Sequence, residues 1–241
     1  MLKGGERKVN FYATILNCSA PYFMPKTNKY QCTMKLIDGS LNRIPVTATI
    51  FSRTIKELPH ITEMGTIIRL HRAQATKYKG QCHVNCNIGD MGAWLLFDSV
   101  KGNLPIAESG KAHTFTPNDK PLLAEIRKFT KSYFEKNEVY AVNLKEAEKN
   151  PTDFDTICEV VSIKKKGSAN TVTLCDAKKT VQMDIPKNRK FPIVEGEVVH
   201  IRSANYSKKF TELELNEYSS ILKVPENYKN AKELKNSIKD K

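Results

Sequence analysis

The chain has 241 residues, enough for two domains of the usual ~100–150 residues, each burying its own core. Its 39 Lys+Arg against 26 Asp+Glu leave a formal charge of +13, which favours a polyanionic partner, nucleic acid or an anionic membrane surface, over a neutral one. No apolar run approaches the ~20 residues that span a bilayer, and the first residues lack an apolar signal-peptide core, so the expectation is an intracellular protein without membrane insertion.

Residues 11–16 are rich in β-formers, residues 30–38 alternate before a Gly39-Ser40 turn, and residues 46–51 alternate again. Residues 67–71 and 83–88 supply two more strands, with a short helical link at 53–58. Five such strands fit a small Greek-key barrel. From Asp98 to Lys120 the composition turns polar, with Gly102, Pro105, Gly110 and Pro117 and no sustained period, so a linker is expected at 101–118. A helix follows. Asp119 caps it, Pro121 sits in its first turn, and Leu122, Leu123, Ile126, Phe129, Tyr133 and Phe134 form one apolar stripe suited to docking on a barrel.

The second half repeats the first. Residues 65–73 match residues 196–204, Leu58-Pro59 before the first copy parallels Phe191-Pro192 before the second, and residues 36–38 parallel residues 174–176. Three features in one order indicate two copies of one fold. The expected fold is all-β: two tandem OB-type five-stranded Greek-key barrels with a few accessory helices. The first covers residues 1–100, and the second covers 119–241, with a helix at its start and a charged packing helix at 227–239.

The six cysteines lie singly in strand-like runs and read as small core residues. Cys82-His83-Val84-Asn85-Cys86 is the one cluster with metal-ligand chemistry, but a structural zinc site wants four ligands and a second pair is lacking, so no metal and no cofactor is expected. A Gly-rich phosphate loop, a nucleophile elbow and a helical His pair are all missing, and the five histidines are scattered, so an enzyme is not expected.

A barrel that binds single strands needs cations for phosphates and flat side chains for unstacked bases, each stack contributing ~1–3 kcal/mol. Residues 69–81 hold that mixture, with Tyr78 between Lys77 and Lys79 beside Gly80, as a stacking platform or simply a hairpin tyrosine. In residues 150–155, alternation sends Asp153 and Asp155 to one face and Phe154 to the core. A carboxylate can accept the two adjacent N–H donors of a guanine, and Asp153 is equally a turn residue after Pro151.

These residues resemble a known family. Phe11-Tyr12-Ala13, Pro21-Tyr22, Lys26-Thr27-Asn28, residues 30–38, Leu58-Pro59, residues 65–73 and Tyr78-Lys79-Gly80-Gln81 resemble the first OB fold of the ciliate telomere end-binding protein alpha subunit and its protection-of-telomeres relatives. Tyr133-Phe134, residues 153–155, Phe191-Pro192, residues 196–199, residues 201–206 and Tyr218-Ser219 resemble the second. The resemblance implies binding and capping of the guanine-rich 3′ single-stranded telomeric overhang by two OB folds sharing one surface, in the nucleus at the telomere, with a telomeric protein partner as a further expectation.

By the same resemblance Tyr78 and Tyr218 stack on bases with Tyr30 near the strand. Lys26, Lys35 and Arg202 are basic or polar contacts, Asp153 and Asp155 read guanine, and Thr33, Gln81, His83 and Glu217 complete the contact set. The chain also departs from the family pattern. Glu217 stands where the alpha subunit has a histidine, Gly89 stands where it has an aromatic, and residues 167–169 carry no ring where it has a stacking tyrosine. A telomeric paralogue with altered DNA binding, or a general single-stranded DNA or RNA binder of the same fold, is the alternative.

Overall fold

The computed structural model describes residues 5, 8–40, 44–109, 113–189, 191, 193–209 and 211–239; Gly110 of the expected linker and Pro192 of the repeat lie outside them. The chain divides into two compact units, one of residues 1–61 and 65–133, the other of residues 62–64 and 134–241.

In the first unit the strands are β1 (Val9–Cys18), β2 (Tyr22–Met24), β3 (Lys29–Ile37), β4 (Val46–Ser52), β5 (Ile67–Tyr78), β6 (Gln81–Asn87), β7 (Ala93–Phe97) and β8 (Ala107–Glu108). They run in the order β1-β3-β4-β6-β5-β7-β8, and an extra β1–β5 pairing closes β1, β3, β4, β6 and β5 into a barrel. One pair in the ring, β4–β6, is parallel. Alternation fills the interior: Cys32, Met34 and Leu36 of β3 and Ala48 and Ile50 of β4 are buried, as is Val84 of β6.

The linker expectation fails at its centre. Ala107–Glu108 pairs with β7, and Ser109 N–H donates to Trp94 O at 3.0 Å, because a polar segment satisfies its backbone on a sheet edge as well as an apolar one does. Helix α1 (Asp119–Lys136) also departs from its assignment to the second domain. Residues 119–133 belong to the first unit, with Leu123 and Ile126 packed against Ile67, Leu95 and Phe97. Thr130 Oγ1 meets Thr14 Oγ1 at 2.5 Å, and Asp119 accepts from Tyr12 and pairs with Arg69. The apolar stripe marks a docking helix without naming the sheet that receives it.

In the second unit β9 (Phe154–Lys166), β10 (Ala169–Cys175), β11 (Thr180–Pro186), β12 (Val198–Ser207) and β13 (Glu212–Lys223) form a closed barrel in the order β10-β11-β13-β12-β9. The order is that of the first barrel, and its β11–β13 pair is again parallel. Phe154, Val160, Val172, Met183, Ile201 and Leu213 are among its core. Two short helices, α2 (Leu144–Ala147) and α3 (Lys229–Lys239), accompany it. Tyr228, fully buried just before α3, accepts the Val139 N–H on its hydroxyl at 2.7 Å.

The sequence repeat is a repeat of hydrogen bonds. Gly65 N–H donates to Ile15 O at 2.8 Å, and Gly196 N–H donates to Val160 O at 2.8 Å. Both glycines hold a left-handed φ, 86° and 79°, which glycine alone adopts without cost. Farther along each strand a second left-handed residue, Arg72 in β5 (φ 50°) and Ser203 in β12 (φ 55°), marks a bulge. The Arg72 N–H is capped by Asn10 Oδ1 at 2.8 Å and the Ser203 N–H by Asp155 Oδ1 at 2.9 Å.

Candidate nucleic-acid interface

On the first barrel, the strand positions that alternation turns away from the core form one continuous outer face across β3, β4, β6 and β5. Pairing sets Thr33 beside Thr49 and Lys35 beside Thr47, then Thr47 beside His83 and Thr49 beside Asn85. Thr76 and Tyr78 of β5 continue the rows opposite His83 and Gln81. Of the predicted residues, Thr33, Lys35, Tyr78, Gln81 and His83 therefore come together.

The face is tied by its own hydrogen bonds. Lys35 Nζ donates to Thr47 Oγ1 at 2.8 Å, Thr49 Oγ1 and His83 Nε2 stand at 3.1 Å, and Thr76 Oγ1 donates to His83 O at 3.2 Å. Burial first, and the Lys35 charge second, hold the His83 imidazole below its ordinary 6.5. At neutral pH the ring is uncharged and can act as donor or acceptor.

Tyr78 is presented by turn geometry. Lys79 (φ 49°) and Gly80 (φ 79°) form a two-residue hairpin turn with both residues left-handed, the kind whose twist suits paired strands. The Tyr78 side is 64 % exposed at the rim, with Lys79 Nζ 5.6 Å above its ring and the His83 ring 6.5 Å away, edge-on. A ring so placed can stack on a base with a cation beside it for the phosphate.

Two predicted contacts fall elsewhere. Lys26 is exposed in the turn before β3. Tyr30 is in phase with Cys32 and Met34, opposite to Thr33 and Lys35, and packs its ring 5.1 Å from Phe23. Sequence reasoning also missed residues on this side. A groove of about 460 Å³ is lined by Lys29, Phe51, Arg72, Gln74, Asn85 and Asn87. Phe51 lies on the outer face beside Asn87, and Arg72 Nη2 is buried with no hydrogen-bond partner among the described residues. The signal for them was available in the alternation of β4 once its buried phase was known. The same alternation separates the cysteine cluster: Cys86 is buried on the barrel side while His83 faces out, so the three side chains do not converge.

On the second barrel the predicted residues gather at the Ser203 bulge. Asp153, exposed and left-handed (φ 50°), donates its N–H to Asn205 Oδ1 at 2.9 Å, the local geometry of a turn residue at the strand's start. Asp155 follows on β9, with Oδ1 on the bulge and Oδ2 3.7 Å from His200 Nε2. Arg202 lies opposite Ser220 and Ala204 opposite Leu215, so residues 216–219 loop out against the single residue 203. Ser219 Oγ and Asn216 Nδ2 both donate to Ser203 O, at 2.7 and 2.9 Å.

That loop carries Glu217, exposed, and Tyr218, whose N–H donates to Asn216 Oδ1 at 3.1 Å. Arg189, which sequence reasoning also missed, pins the loop by donating to Asn216 O and Ser219 O at 2.6 Å each. Burial lowers its pKa without removing its charge. Asp153, Asp155, Arg202, Glu217 and Tyr218 thus surround one bulge.

Two barrels of one topology, one with a polar outer face and an exposed tyrosine, the other with acids and a tyrosine around a bulge, define a tandem OB-fold protein. Comparison with known proteins is specific. Residues 1–140 match the family described as telomeric single stranded DNA binding POT1/CDC13, and residues 142–236 match the telomere end-binding protein alpha subunit OB2 domain. The chain belongs to this telomeric POT1/CDC13 family.

Telomere-binding protein subunit alpha of Sterkiella nova is 30% identical over 266 residues, covering 96% of this chain and 53% of that protein. The telomere-binding protein 51 kDa subunit of Euplotes crassus is 30% identical over 268 residues, covering 98% and 59%. The chain spans about half the length of the curated relatives it matches. A crystal structure of fission yeast Pot1 with single-stranded DNA superposes with a TM-score of 0.46 at 13% identity, covering 99% of this chain and 90% of that one.

Proposed function

We propose that this chain binds single-stranded guanine-rich telomeric DNA and caps the 3′ overhang, acting in the nucleus at the chromosome end as a non-enzymatic binding protein. The observation that carries the reading is the outer face of the first barrel, where an exposed Tyr78 with Lys79 over its ring adjoins Thr33, Lys35 and His83. Tyr78 and Tyr218 stack on bases, Lys26, Lys35 and Arg202 meet phosphates, and Thr33, Gln81 and His83 offer hydrogen bonds. Asp153 and Asp155 accept from guanine, with Glu217 beside them. The names of the relatives, telomere-binding protein subunit alpha among them, support the choice of telomeric DNA and of a second protein subunit as partner.

The test is a binding panel at fixed salt: a guanine-rich telomeric repeat, its cytosine-rich complement, the RNA version and the duplex. The guanine-rich single strand should bind tightest, with log affinity falling against log salt by ~0.7 per phosphate contact. Equal binding of the duplex overturns the scheme. A second reading, a telomeric paralogue with altered DNA binding, is favoured by Glu217 and by the absence of a ring at residues 167–169, where β9 turns into β10, and predicts weaker binding with the same guanine preference.

A further inference from the structure

The carboxylate of Asp155 is held on two sides. Its Oδ1 accepts the Ser203 N–H at 2.9 Å, and its Oδ2 stands 3.7 Å from His200 Nε2. Asn10 fills the equivalent place in the first barrel and caps the Arg72 N–H at 2.8 Å, so capping the bulge requires an oxygen and not a charge. The charge at Asp155 is therefore a feature that the fold does not demand.

His200 differs from its first-barrel counterpart as well. Arg69 occupies that position, pairing with Asp119 at 3.1 Å and donating to Thr114 O at 2.5 Å. His200 is fully buried; the Tyr140 backbone stands against its ring, and neither nitrogen reaches a side-chain hydrogen-bond partner among the described residues. Keeping an imidazole in a core with no side-chain partner in bonding range is costly, and such groups call for a functional account. The groups that face it are Asp155 on β9, Arg202 on its own strand and the backbone of Tyr140 ahead of β9. Burial keeps the ring neutral at neutral pH, and in the tautomer with its proton on Nε2 it presents an N–H to the carboxylate without competing as a cation.

We propose that His200 is a positioning residue for Asp155 and, through it, sets how strongly the second barrel prefers guanine. The inference rests on the reading of Asp155 as a guanine acceptor. The imidazole edge stands behind the carboxylate and blocks its inward rotation, leaving the outward lone pairs aligned with the N1–H and N2–H of a base. A carboxylate has room for the Ser203 N–H, for guanine and for the imidazole together. When a base draws the carboxylate into its bound position, the step from 3.7 Å to bonding distance brings His200 Nε2 into a hydrogen bond with it.

The experiment compares a guanine-rich telomeric oligonucleotide, the same strand with inosine for guanine, and oligo-thymidine, with wild type, Asp155→Asn, His200→Asn and His200→Gln. Inosine keeps N1–H and lacks the N2 amino group. His200→Asn, too short to reach Asp155, should lower the guanine-over-inosine preference about tenfold, equivalent to about 1.4 kcal/mol. His200→Gln, whose amide nitrogen can occupy the Nε2 position, should restore it to within about threefold, and oligo-thymidine affinity should stay level throughout. In the Asp155→Asn background His200→Asn should have no further effect on the preference. If His200→Asn does not fold, His200→Met fills the same volume without a nitrogen and takes its place. An intact preference in the His200 variants, with the preference lost in Asp155→Asn, overturns the positioning role alone. An intact preference in Asp155→Asn overturns the guanine reading beneath it.

Discussion

The two barrels share a strand order and a parallel closing pair, yet their equivalent outer faces carry opposite chemistry. Across β3, β4 and β6 the first barrel shows Thr33, Lys35, Thr49 and His83, with Lys29 bonded to Asn87 at the edge. Across β10, β11 and β13 the second shows Thr171, Thr173, Gln182, Asp184, Glu212 and Glu214, with Thr171 donating to Asp184 at 2.5 Å. Topology decides which positions face outward and leaves their charge open. On charge alone a polyanion is favoured at the first face and repelled by the second.

The deepest difference between the barrels is a reversal on one strand: Arg69-Leu70-His71 in β5 against His200-Ile201-Arg202 in β12. Burial first, and then the Arg69, His113 and Arg72 charges, push His71 from 6.5 to about 4, against a small opposing pull from Asp119. Because the folded pKa is depressed, the unfolded chain takes up the proton first, and stability falls as pH drops from 6.5 toward 4. Up to about 3 kcal/mol is lost over that window, judged by the shift alone. Denaturant unfolding from pH 7 to 4 should show this loss in wild type and a smaller one in His71→Gln. Parallel curves would clear His71 of any role.

Tyr78→Ala and Tyr218→Ala should each weaken binding of a guanine-rich strand by ~1–3 kcal/mol, with phenylalanine restoring most of it. Tyr78 is 64 % exposed, so its alanine variant should melt with the wild type. A lowered melting temperature for either variant would assign that ring to packing. An effect at Tyr78 with none at Tyr218 would confine the stacking to the first barrel and sharpen the contrast between the two.

His83 offers a smaller effect of definite sign. A phosphate near the first face stabilises the protonated ring, so binding should tighten as pH falls through the depressed pKa, by about tenfold for each unit of pKa that the DNA restores. His83→Gln should flatten that limb of the pH titration. A wild-type titration without the limb would place the phosphates away from His83. Smallest of all, Asp184→Asn and Glu214→Gln on the second face should shift affinity by less than about 0.5 kcal/mol, as surface changes away from a ligand do. A tenfold gain in either variant would mean that the strand crosses the acidic face after all, and the comparison would break.

Much of this arrangement is legible in the residues, for identifiable reasons. The repeat at Gly65 and Gly196 shows because a left-handed backbone donor leaves little choice but glycine. The strands 30–38 and 46–51 show because half of each faces a core and half faces water. Helix α1 is visible as a stripe, while its docking on Ile67, Leu95 and Phe97 depends on contacts far along the chain. β8 is hidden in polar residues, since edge pairing uses backbone groups that every residue carries. At the candidate site, Tyr78 is announced by its Lys-Tyr-Lys-Gly context, whereas Arg189 is not, because it acts on carbonyls of residues 216 and 219. The side that Tyr30 takes becomes legible only once the phase of β3 is read from Cys32 and Met34.

The left-handed residues Arg72 and Ser203 have a consequence for how such a protein diverges. Before Arg72 both phases of β5 are buried, Ile68 and Leu70 at even positions and Ile67, packed with Leu123 and Ile126, at an odd one; after it Ala73 and Ala75 are buried at odd positions alone. In the barrel core of the second unit Val199 and Ile201 give way to Ala204 and Tyr206 across Ser203, while Val198 and His200 are buried in the other phase. Each strand therefore changes phase at its bulge and behaves as two shorter rulers laid end to end. Substitutions on one side alter what that half exposes without moving the other half, so ligand-facing chemistry can drift while the barrel stays closed. A one-residue deletion at the bulge has the opposite character, because it turns every following side chain over at once. Duplicated barrels of this design are thus tolerant of exchange and intolerant of loss at the same point.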